Sequence, residues 1–197
     1  EPVTVRIRNV TSDSFQVRAQ KWSYQTEIHS TENISYVVME SGIHRLADGT
    51  TIIARNTDGI TPNFQEIPFA LPFEETPVVL AQAVTTNGGA PIVTRLAAID
   101  SEGFEIRIQE EEAADQTHNP ETIAWMAMLP SQKDLGVSQQ ASVITDRIVD
   151  EEVATLPFEN SFATPPVFLA NMQSYHGSNT ATLRVTEITE NSVSLFV

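Results

Sequence analysis

Apolar and polar residues alternate along most of the chain with the period of two that is typical of half-buried β-strands. Val3, Val5 and Ile7 alternate with polar neighbours, and the alternation resumes at Phe15. Residues 11–14 between them read Thr-Ser-Asp-Ser, a composition that favours a hairpin turn. The first twenty residues are therefore predicted to form an antiparallel hairpin.

The same reasoning predicts strands along the rest of the chain. They are expected near residues 32–40, 50–56, 77–85, 91–99, 103–110, 121–129, 140–149, 166–173, 180–188 and 192–197. No long segment has the period of a helix. Short strands separated by turn signals predict an all-β protein built of antiparallel β-sandwich units.

The strand near residues 121–129 differs from the others because residues 123–128, Ile-Ala-Trp-Met-Ala-Met, are apolar on both faces. Residues 34–39 are similar, with a serine at position 35. Two explanations stay open. The strand is central and covered on both sides, or its outer face packs on another copy in a homo-oligomer.

Identical residues recur at a spacing of 89 along the chain. Arg6, Arg95 and Arg184 follow one another at this distance, as do His29 and His118. The identities are more numerous than ordinary amino-acid usage explains. The sequence therefore predicts a tandem repeat with a period of 89 residues.

The phase of the repeat divides the chain into three parts. Residues 1–63 carry the second part of one unit, residues 64–152 a complete central unit, and residues 153–197 the first part of a third. Because the two fragments carry complementary strands, residues 153–197 and 1–56 are expected to build a second sandwich. The pairing occurs within one chain or between chains, and a segment taken from a longer array would show the same phase.

The strand patterns also predict which side chains are buried. The core of the central unit is expected to contain Phe69, Phe73, Val78, Leu80, Phe104, Ile106, Ile123 and Trp125. The core of the second sandwich is expected to contain Phe158, Phe162, Val167 and Leu169 against Phe15, Val17, Ile34 and Tyr36.

Charge and composition narrow the range of partners and locations. The formal net charge is −15, so neither nucleic acid nor an anionic membrane surface is an expected partner. The chain has no cysteine, which excludes disulfides and thiolate metal sites, and no apolar stretch of membrane-spanning length. This composition fits an extracellular, secreted or cell-surface bacterial protein, although acidic cytosolic proteins share it.

The central unit resembles the H-type lectin domain. The resemblance rests on Phe69-x3-Phe73-x3-Pro77, Val93-x-Arg95-Leu96, Gly103-Phe104-x-Ile106 and the strand at 123–127, and it covers about 65 residues. It implies an antiparallel β-sandwich of six strands, a trimeric tendency, and binding of N-acetylgalactosamine-type sugars between protomers.

The sugar site of that family is carried over only in part. Its stacking tryptophan corresponds to Trp22 in the first unit but to Glu111 in the central one. The following residue, often His in the family, corresponds to Ser23 and Glu112, and a sugar-contacting arginine corresponds to Pro91.

Six residues are candidates for ligand contact. They are Trp22, Tyr24, His29, His118, Tyr175 and His176. The aromatic side chains would stack on sugar rings if exposed, but a packed strand end and a plain hairpin tip explain them equally well.

His29-x2-Glu32 and His118-x2-Glu121 recur one unit apart. A zinc site needs three or four ligands, so each histidine is expected to tether its loop through hydrogen bonds to a backbone group or to its own glutamate. We therefore expect no metal at these positions.

The densest acidic cluster contains Glu110, Glu111, Glu112 and Asp115. Calcium is a weak possibility there because the spacing matches no loop motif, and a solvated charged edge is the favoured explanation. Paired carboxylates also occur in glycosidases, but no other catalytic motif accompanies them.

Taken together, these patterns favour a non-catalytic carbohydrate-binding or adhesive module of a larger bacterial surface or secreted protein, with a glycan or polysaccharide as partner. The alternative is a structural spacer or assembly repeat without ligand. An enzyme is not expected, and membrane insertion is not either.

Overall fold

The computed structural model describes residues 2–130, 139–144 and 152–197. Those ranges contain twelve strands and no helix, which confirms the all-β fold. The strands are β1 (Val3–Arg8), β2 (Gln16–Lys21), β3 (Gly42–Arg45), β4 (Thr51–Ile60), β5 (Gln65–Pro68), β6 (Val78–Ala83), β7 (Ile92–Ala97), β8 (Gly103–Glu110), β9 (Glu121–Met128), β10 (Ala154–Pro157), β11 (Arg184–Ile188) and β12 (Ser192–Phe196).

Two antiparallel sheets enclose the main hydrophobic core, and we call them together the central sandwich. One sheet has four strands in the order β3-β4-β9-β6, and the other has three in the order β5-β8-β7. The strand that is apolar on both faces, β9, is hydrogen-bonded to β4 on one side and β6 on the other. Its inward face is buried and its outward face is partly covered.

Aromatic rings hold the two sheets together at the centre of the core. Phe104 lies 5.2 Å from Trp125 and 5.6 Å from Phe69, measured between ring centroids. Trp125 donates its indole N–H to the hydroxyl of Thr57 over 2.9 Å, so its polar group is satisfied inside the sheet. Of the predicted core residues, Phe69, Phe104, Ile106, Ile123 and Trp125 are buried and Phe73 is partly buried.

The prediction for β6 was wrong by one position. Val79 and Ala81 point into the core, whereas Val78 and Leu80 are only half-buried on the outer face. Ala81 stands opposite Trp125 in the sheet, and directly paired residues share a face. Once Trp125 faces inward, Ala81 must do so as well.

The central sandwich also begins earlier than the repeat boundary at residue 64 suggests. β4 pairs with β9 from Ile52 opposite Met128 to Ile60 opposite Glu121, and β3 pairs with β4. Residues 42–60, which the repeat phase assigned to the amino-terminal fragment, therefore supply two of the four strands of one sheet.

The two ends of the chain form smaller sheets of their own. β1 and β2 form the N-terminal hairpin, with Val3 opposite Lys21, and β10, β12 and β11 form the C-terminal sheet. The predicted strands at 32–40 and 166–173 are irregular, and so is the described part of the strand predicted at 140–149, whose residues 145–149 lie outside the described residues.

The second sandwich expected from the two ends, within one chain or between chains, stays a prediction. The N-terminal hairpin and the C-terminal sheet are separate sheets, and Val17, Tyr36 and Val167 are 42%, 60% and 67% exposed.

Local packing recurs at the spacing of the sequence repeat. Phe69 and Phe73 meet edge to face at 5.1 Å, and Phe158 and Phe162 do so at 5.4 Å. The backbone N–H of Phe73 bonds to the carbonyl of Ser101, and that of Phe162 bonds to the carbonyl of Glu190. The Phe-x3-Phe sequence thus builds the same corner at both places.

Candidate functional site

A cluster of buried charged groups lies where the N-terminal hairpin meets the central sandwich. Arg6 is on β1, Glu121 begins β9, and His118 lies in the loop just before it. The Nη2 atom of Arg6 and the Nε2 atom of His118 each lie 2.9 Å from Oε1 of Glu121. Arg6, Glu121 and His118 are 1%, 0% and 7% exposed, so the ion pair is shielded from water.

Backbone groups complete the cluster. The amide of Asn87 donates to Glu121 over 3.0 Å, and Arg6 Nη1 donates to the carbonyl of Ala90 over 2.8 Å. Gly88 lies flat against the His118 ring, and a Cβ at this glycine would stand 2.4 Å from it. The loop at residues 85–90 therefore holds both partners of the ion pair in place.

Hydrogen bonding controls the protonation of this cluster. The hydrogen bond to Glu121 raises the pKa of His118, with a further contribution from Glu110, and these outweigh the lowering by burial. Burial alone would raise the pKa of Glu121, but hydrogen bonds from His118, Thr85 and Asn87 lower it. Both shifts favour a charged His118 beside a charged Glu121.

Further polar contacts seat the N-terminal hairpin. Thr4 donates its hydroxyl to the carbonyl of Ile92 over 2.9 Å, and the side-chain amide of Gln20 donates to the carbonyl of Gly89 over 2.8 Å. These bonds use side chains of the hairpin and backbone acceptors of the central sandwich. They fix the position of the hairpin along the loop.

The same bonds occur one repeat further along the chain. Arg95 Nη1 donates to the carbonyl of Asn179 over 2.9 Å, and Gln109 Nε2 donates to the carbonyl of Ser178 over 2.6 Å. Each donor and acceptor is displaced by 89 residues from its counterpart in the hairpin contact. The central sandwich thus contacts the loop at 177–179 as the hairpin contacts the loop at 88–90.

A third arginine joins the carboxy-terminal part of the chain to the amino-terminal part. Arg184 Nη2 lies 2.7 Å from Oε1 of Glu32, which is the counterpart of Glu121 in the repeat. Both groups are partly exposed, at 27% and 37% of the side chain, so water weakens this pair relative to the one at Arg6.

Three equivalent segments surround one small cavity. Residues 3–5, 92–94 and 181–183, each displaced from the last by 89, all line a space of about 220 Å³. Gln82 and its counterpart Asn171 also line it. The N-terminal hairpin, the central sandwich and the carboxy-terminal part therefore meet at this cavity.

Trp22 does not offer the exposed ring expected of a sugar-stacking residue. It follows β2 and is 2% exposed. The next amide, Ser23 N–H, donates to Glu111 over 2.7 Å. Tyr24 is 47% exposed and donates its hydroxyl to Glu112 over 2.7 Å.

The two histidines of the repeated His-x2-Glu motif contact protein groups. His118 bridges Glu110 and Glu121, and its Nδ1 atom lies 2.9 Å from Oε1 of Glu110. His29 Nδ1 lies 2.8 Å from the carbonyl of Ser30. Each histidine bonds to protein groups, as the spacing predicted. The bonds of His118 are buried.

Tyr175 and its neighbour differ in environment. Tyr175 is half-buried, with its ring centroid 5.2 Å from that of Phe64 and 4.6 Å from the guanidinium carbon of Arg95. His176 is exposed.

The acidic cluster was predicted to be a solvated edge, and for two of its members this is wrong. Glu110 and Glu111 are 2% and 1% exposed, because they bind His118 and the amide of Ser23. Glu112 and Asp115 are exposed. The described ranges contain no group of three or more side chains placed to hold a metal ion.

A surface depression of about 460 Å³ lies beside His118. Its lining includes Glu110, Asp115 and Asn119 together with the backbone at 88–90. Oε2 of Glu110 is buried and accepts no hydrogen bond within the described part of the protein. Carboxylates and amides at such a depression can bind hydroxyl groups.

The sequence reasoning used Arg6 and Arg95 as markers of the repeat and gave them no role. A signal was present, since the two arginines are charged residues inside predicted strands and recur at the spacing of 89 residues. Gln20 and Gln109 recur at the same spacing and carry the second contact.

The geometry defines an all-β protein whose parts are joined by buried polar contacts. The chain is similar to Halomucin from Haloquadratum walsbyi (strain DSM 16790 / HBSQ001), with 32% identity over 195 residues. The match covers 95% of this chain and spans only 2% of the length of that relative. No family model and no solved structure matches the chain. No helix in the described ranges is long and apolar enough to cross a membrane.

Proposed function

We propose that the chain is a non-catalytic assembly module, in which successive repeat units are held in fixed relative positions as part of a larger extracellular or cell-surface protein. One observation carries the proposal. The bonds that Arg6 and Gln20 make to the loop at 88–90 are repeated by Arg95 and Gln109 at the loop at 177–179.

The energetics of these contacts support a role in fixing orientation. A buried guanidinium that loses its partners leaves an uncompensated charge, so a displaced hairpin is strongly disfavoured. Arg6 and Arg95 are 1% and 4% exposed. An apolar contact of the same area would tolerate sliding, whereas directional bonds to three backbone carbonyls would not.

The location is part of the proposal. An acidic chain without cysteine is compatible with a surface or secreted protein, and the similar protein bears the name of a mucin. Within such a protein, a module of this kind would set the spacing of neighbouring segments. Its partners would be the adjacent units of the same or another chain.

Hydrogen exchange measured by mass spectrometry tests the proposal. Replacing Arg6 by Met should speed exchange at the amides of β1 and β2 by roughly a hundredfold, because the hairpin loses a charged contact that is worth about 3 kcal/mol or more. Arg8→Met is the matched control, since Arg8 is exposed on the same strand and bonds only to neighbouring residues. Equal exchange in the two variants would contradict an assembly role for Arg6.

Carbohydrate binding is the second candidate, and the depression beside His118 favours it. Asp115 offers acceptors to sugar hydroxyls there, and Asn119 offers a donor. A glycan array should then give binding that is lost in Asp115→Ala and kept in Glu74→Ala, which removes an exposed carboxylate elsewhere. An array without signals would refute this function and leave the assembly role untouched.

A further inference from the structure

Arg95 has the position of an arginine that pairs with a glutamate, but no carboxylate reaches it among the described residues. Its counterparts Arg6 and Arg184 bind Glu121 and Glu32 through Nη2, at 2.9 and 2.7 Å. Nη2 of Arg95 makes one long bond instead, 3.4 Å to the carbonyl of Gly177.

The surroundings of Arg95 add positive charge. Its guanidinium stacks on Tyr175, and the guanidinium carbon of Arg107 lies 5.8 Å from the centroid of the same ring. Arg95 is 4% exposed and its Nε atom has no hydrogen-bond partner among the described residues. In a protein of net charge −15, two adjacent arginines that no carboxylate of the described residues pairs with form a local site for an anion.

A second, independent feature lies nearby in the C-terminal part. Residues 167–172 are the counterparts of β6, which pairs along its length with β9. They join no sheet, and Val167 and Leu169 are 67% and 36% exposed. Within residues 152–197 no described segment takes the place of β9.

The two features match the two ends of one missing element. In the central sandwich Glu121, at the start of β9, receives Arg6, while the rest of β9 pairs with β6. A strand placed in the same way on residues 167–172 would bring its first residue to Arg95. The anion site and the open strand edge thus call for a glutamate followed by an apolar strand.

We propose that residues 167–172 bind an extended antiparallel strand of the pattern Glu-x-Ile-x-aromatic, supplied by a repeat unit of another chain, with the glutamate against Arg95. The inference rests on the proposed assembly function and names its partner. This chain contains the pattern twice, as Glu32 to Tyr36 and as Glu121 to Trp125. Ala81 pairs with Trp125, so the aromatic residue of the bound strand stands opposite Ala170.

Strand addition explains both features through ordinary sheet chemistry. The backbone of the incoming strand supplies the ladder of hydrogen bonds, and its alternate side chains cover the apolar face. The glutamate adds a charge-assisted bond and sets the register, since a shift by one residue would move it away from Arg95.

Fluorescence anisotropy with a labelled peptide of residues 30–40 tests the proposal on the full chain. The peptide should bind saturably, and a peptide with Glu32→Gln should bind at least about tenfold more weakly. Protein carrying Arg95→Gln should bind the unchanged peptide more weakly by the same factor. It should bind the two peptides with equal affinity. Arg55→Gln, which removes an exposed arginine from β4, should bind as the unchanged protein does.

A substitution on the exposed apolar face locates the site without disturbing a buried charge. Leu169→Asp should abolish binding, whereas Val17→Asp on the N-terminal hairpin should not. Loss of binding only in Val17→Asp would mean that the peptide replaces the chain's own residues 32–40, and this would overturn the proposal.

Equal binding of the two peptides, or no saturable binding, would overturn it as well. Such a failure is distinguishable from failure of the assembly function, because the exchange experiment on Arg6→Met reports on contacts that do not involve Arg95. Faster exchange at the hairpin amides of Arg6→Met together with absent peptide binding would refute the strand site alone.

Discussion

Replacing Glu121 by Gln should destabilise the protein strongly, because this carboxylate is the common partner of two buried cations. Its Oε1 atom lies 2.9 Å from both Arg6 Nη2 and His118 Nε2, and the residue is 0% exposed. Glutamine keeps the shape and one acceptor but carries no charge. Arg6 then remains buried without the counter-charge that holds it, whereas His118 keeps Glu110 as a carboxylate partner.

The magnitude follows from the geometry. Breaking a buried ion pair by removing one partner costs about 3–5 kcal/mol, and the retained acceptor in glutamine favours the lower end of that range. The amide group of glutamine also faces the N–H of Asn87, which is a donor that loses its charged acceptor. We expect a loss of about 3 kcal/mol and a fall in Tm of roughly 6–12 °C.

Urea unfolding followed by circular dichroism measures this loss. The control Glu74→Gln removes the same charge from an exposed position and should change the free energy of unfolding by less than about 0.5 kcal/mol. The double variant Arg6→Met, Glu121→Gln should be destabilised by clearly less than the sum of the two single variants. Additive losses, or a Glu121→Gln protein as stable as the control, would refute the ion pair as a source of stability.

Three further outcomes are expected. The hydrogen bonds that raise the pKa of His118 stabilise the folded protein, and this stability is present in full below the ordinary pKa of about 6.5. It is lost as the pH rises through the raised pKa. The free energy of unfolding of His118→Gln should therefore show no such loss between about pH 6 and 9. Gly88→Ala should cost about 1–3 kcal/mol, because a Cβ there would stand 2.4 Å from the His118 ring, whereas Gly89→Ala, with no described atom within 4 Å of its Cβ, should be neutral in thermal unfolding. Calorimetry should show a higher Tm in 1 M than in 0.1 M NaCl, because salt shortens the Debye length from about 10 to 3 Å and screens the repulsion of a net charge of −15; an unchanged or lower Tm would contradict this.

The sequence was sufficient for features that depend on local pattern. The alternation in residues 3–7 and the polar turn at 11–14 predicted the hairpin, and Thr11 indeed closes it by a bond from its N–H to the carbonyl of Ser14. Phe104 lies in a strand whose apolar and polar residues alternate, and it is buried. These outcomes follow from side-chain alternation alone.

The face of β6 could not be predicted because its sequence carries no alternation. Residues 78–81 read Val-Val-Leu-Ala, which is apolar at every position. Only the register with β9, which puts Ala81 opposite Trp125, decides which side chains face inward. That register depends on residues more than forty positions away in the chain.

Segments 32–40 and 166–173 show the opposite limit. Both have the composition of strands, but a strand is stable only when its backbone groups meet a neighbour, and the described chain supplies none at these places. The alternation of apolar and polar residues shows only that a segment is able to form a strand. It does not show whether a neighbouring strand is present to pair with that segment.

The sequence did not predict the burial of the acidic residues, for a related reason. Glu110 and Glu111 stand in a run of three glutamates that has the appearance of a solvated edge. Each is buried because a partner distant in sequence satisfies it, namely His118 for Glu110 and the amide of Ser23 for Glu111. Charge density alone therefore gave the wrong environment for these two residues.

The placement of charge at these contacts also explains how similar repeat units avoid joining in the wrong register. Units with nearly the same apolar faces could slide or exchange partners at little cost, because hydrophobic contact is not directional. An arginine inside the contact changes this, since Arg6 finds both a carbonyl acceptor and Glu121 in one relative position only. Any other position would bury a guanidinium without a partner, and the cost of doing so exceeds what sliding of the apolar surfaces could recover. We infer that the recurring arginine selects the register.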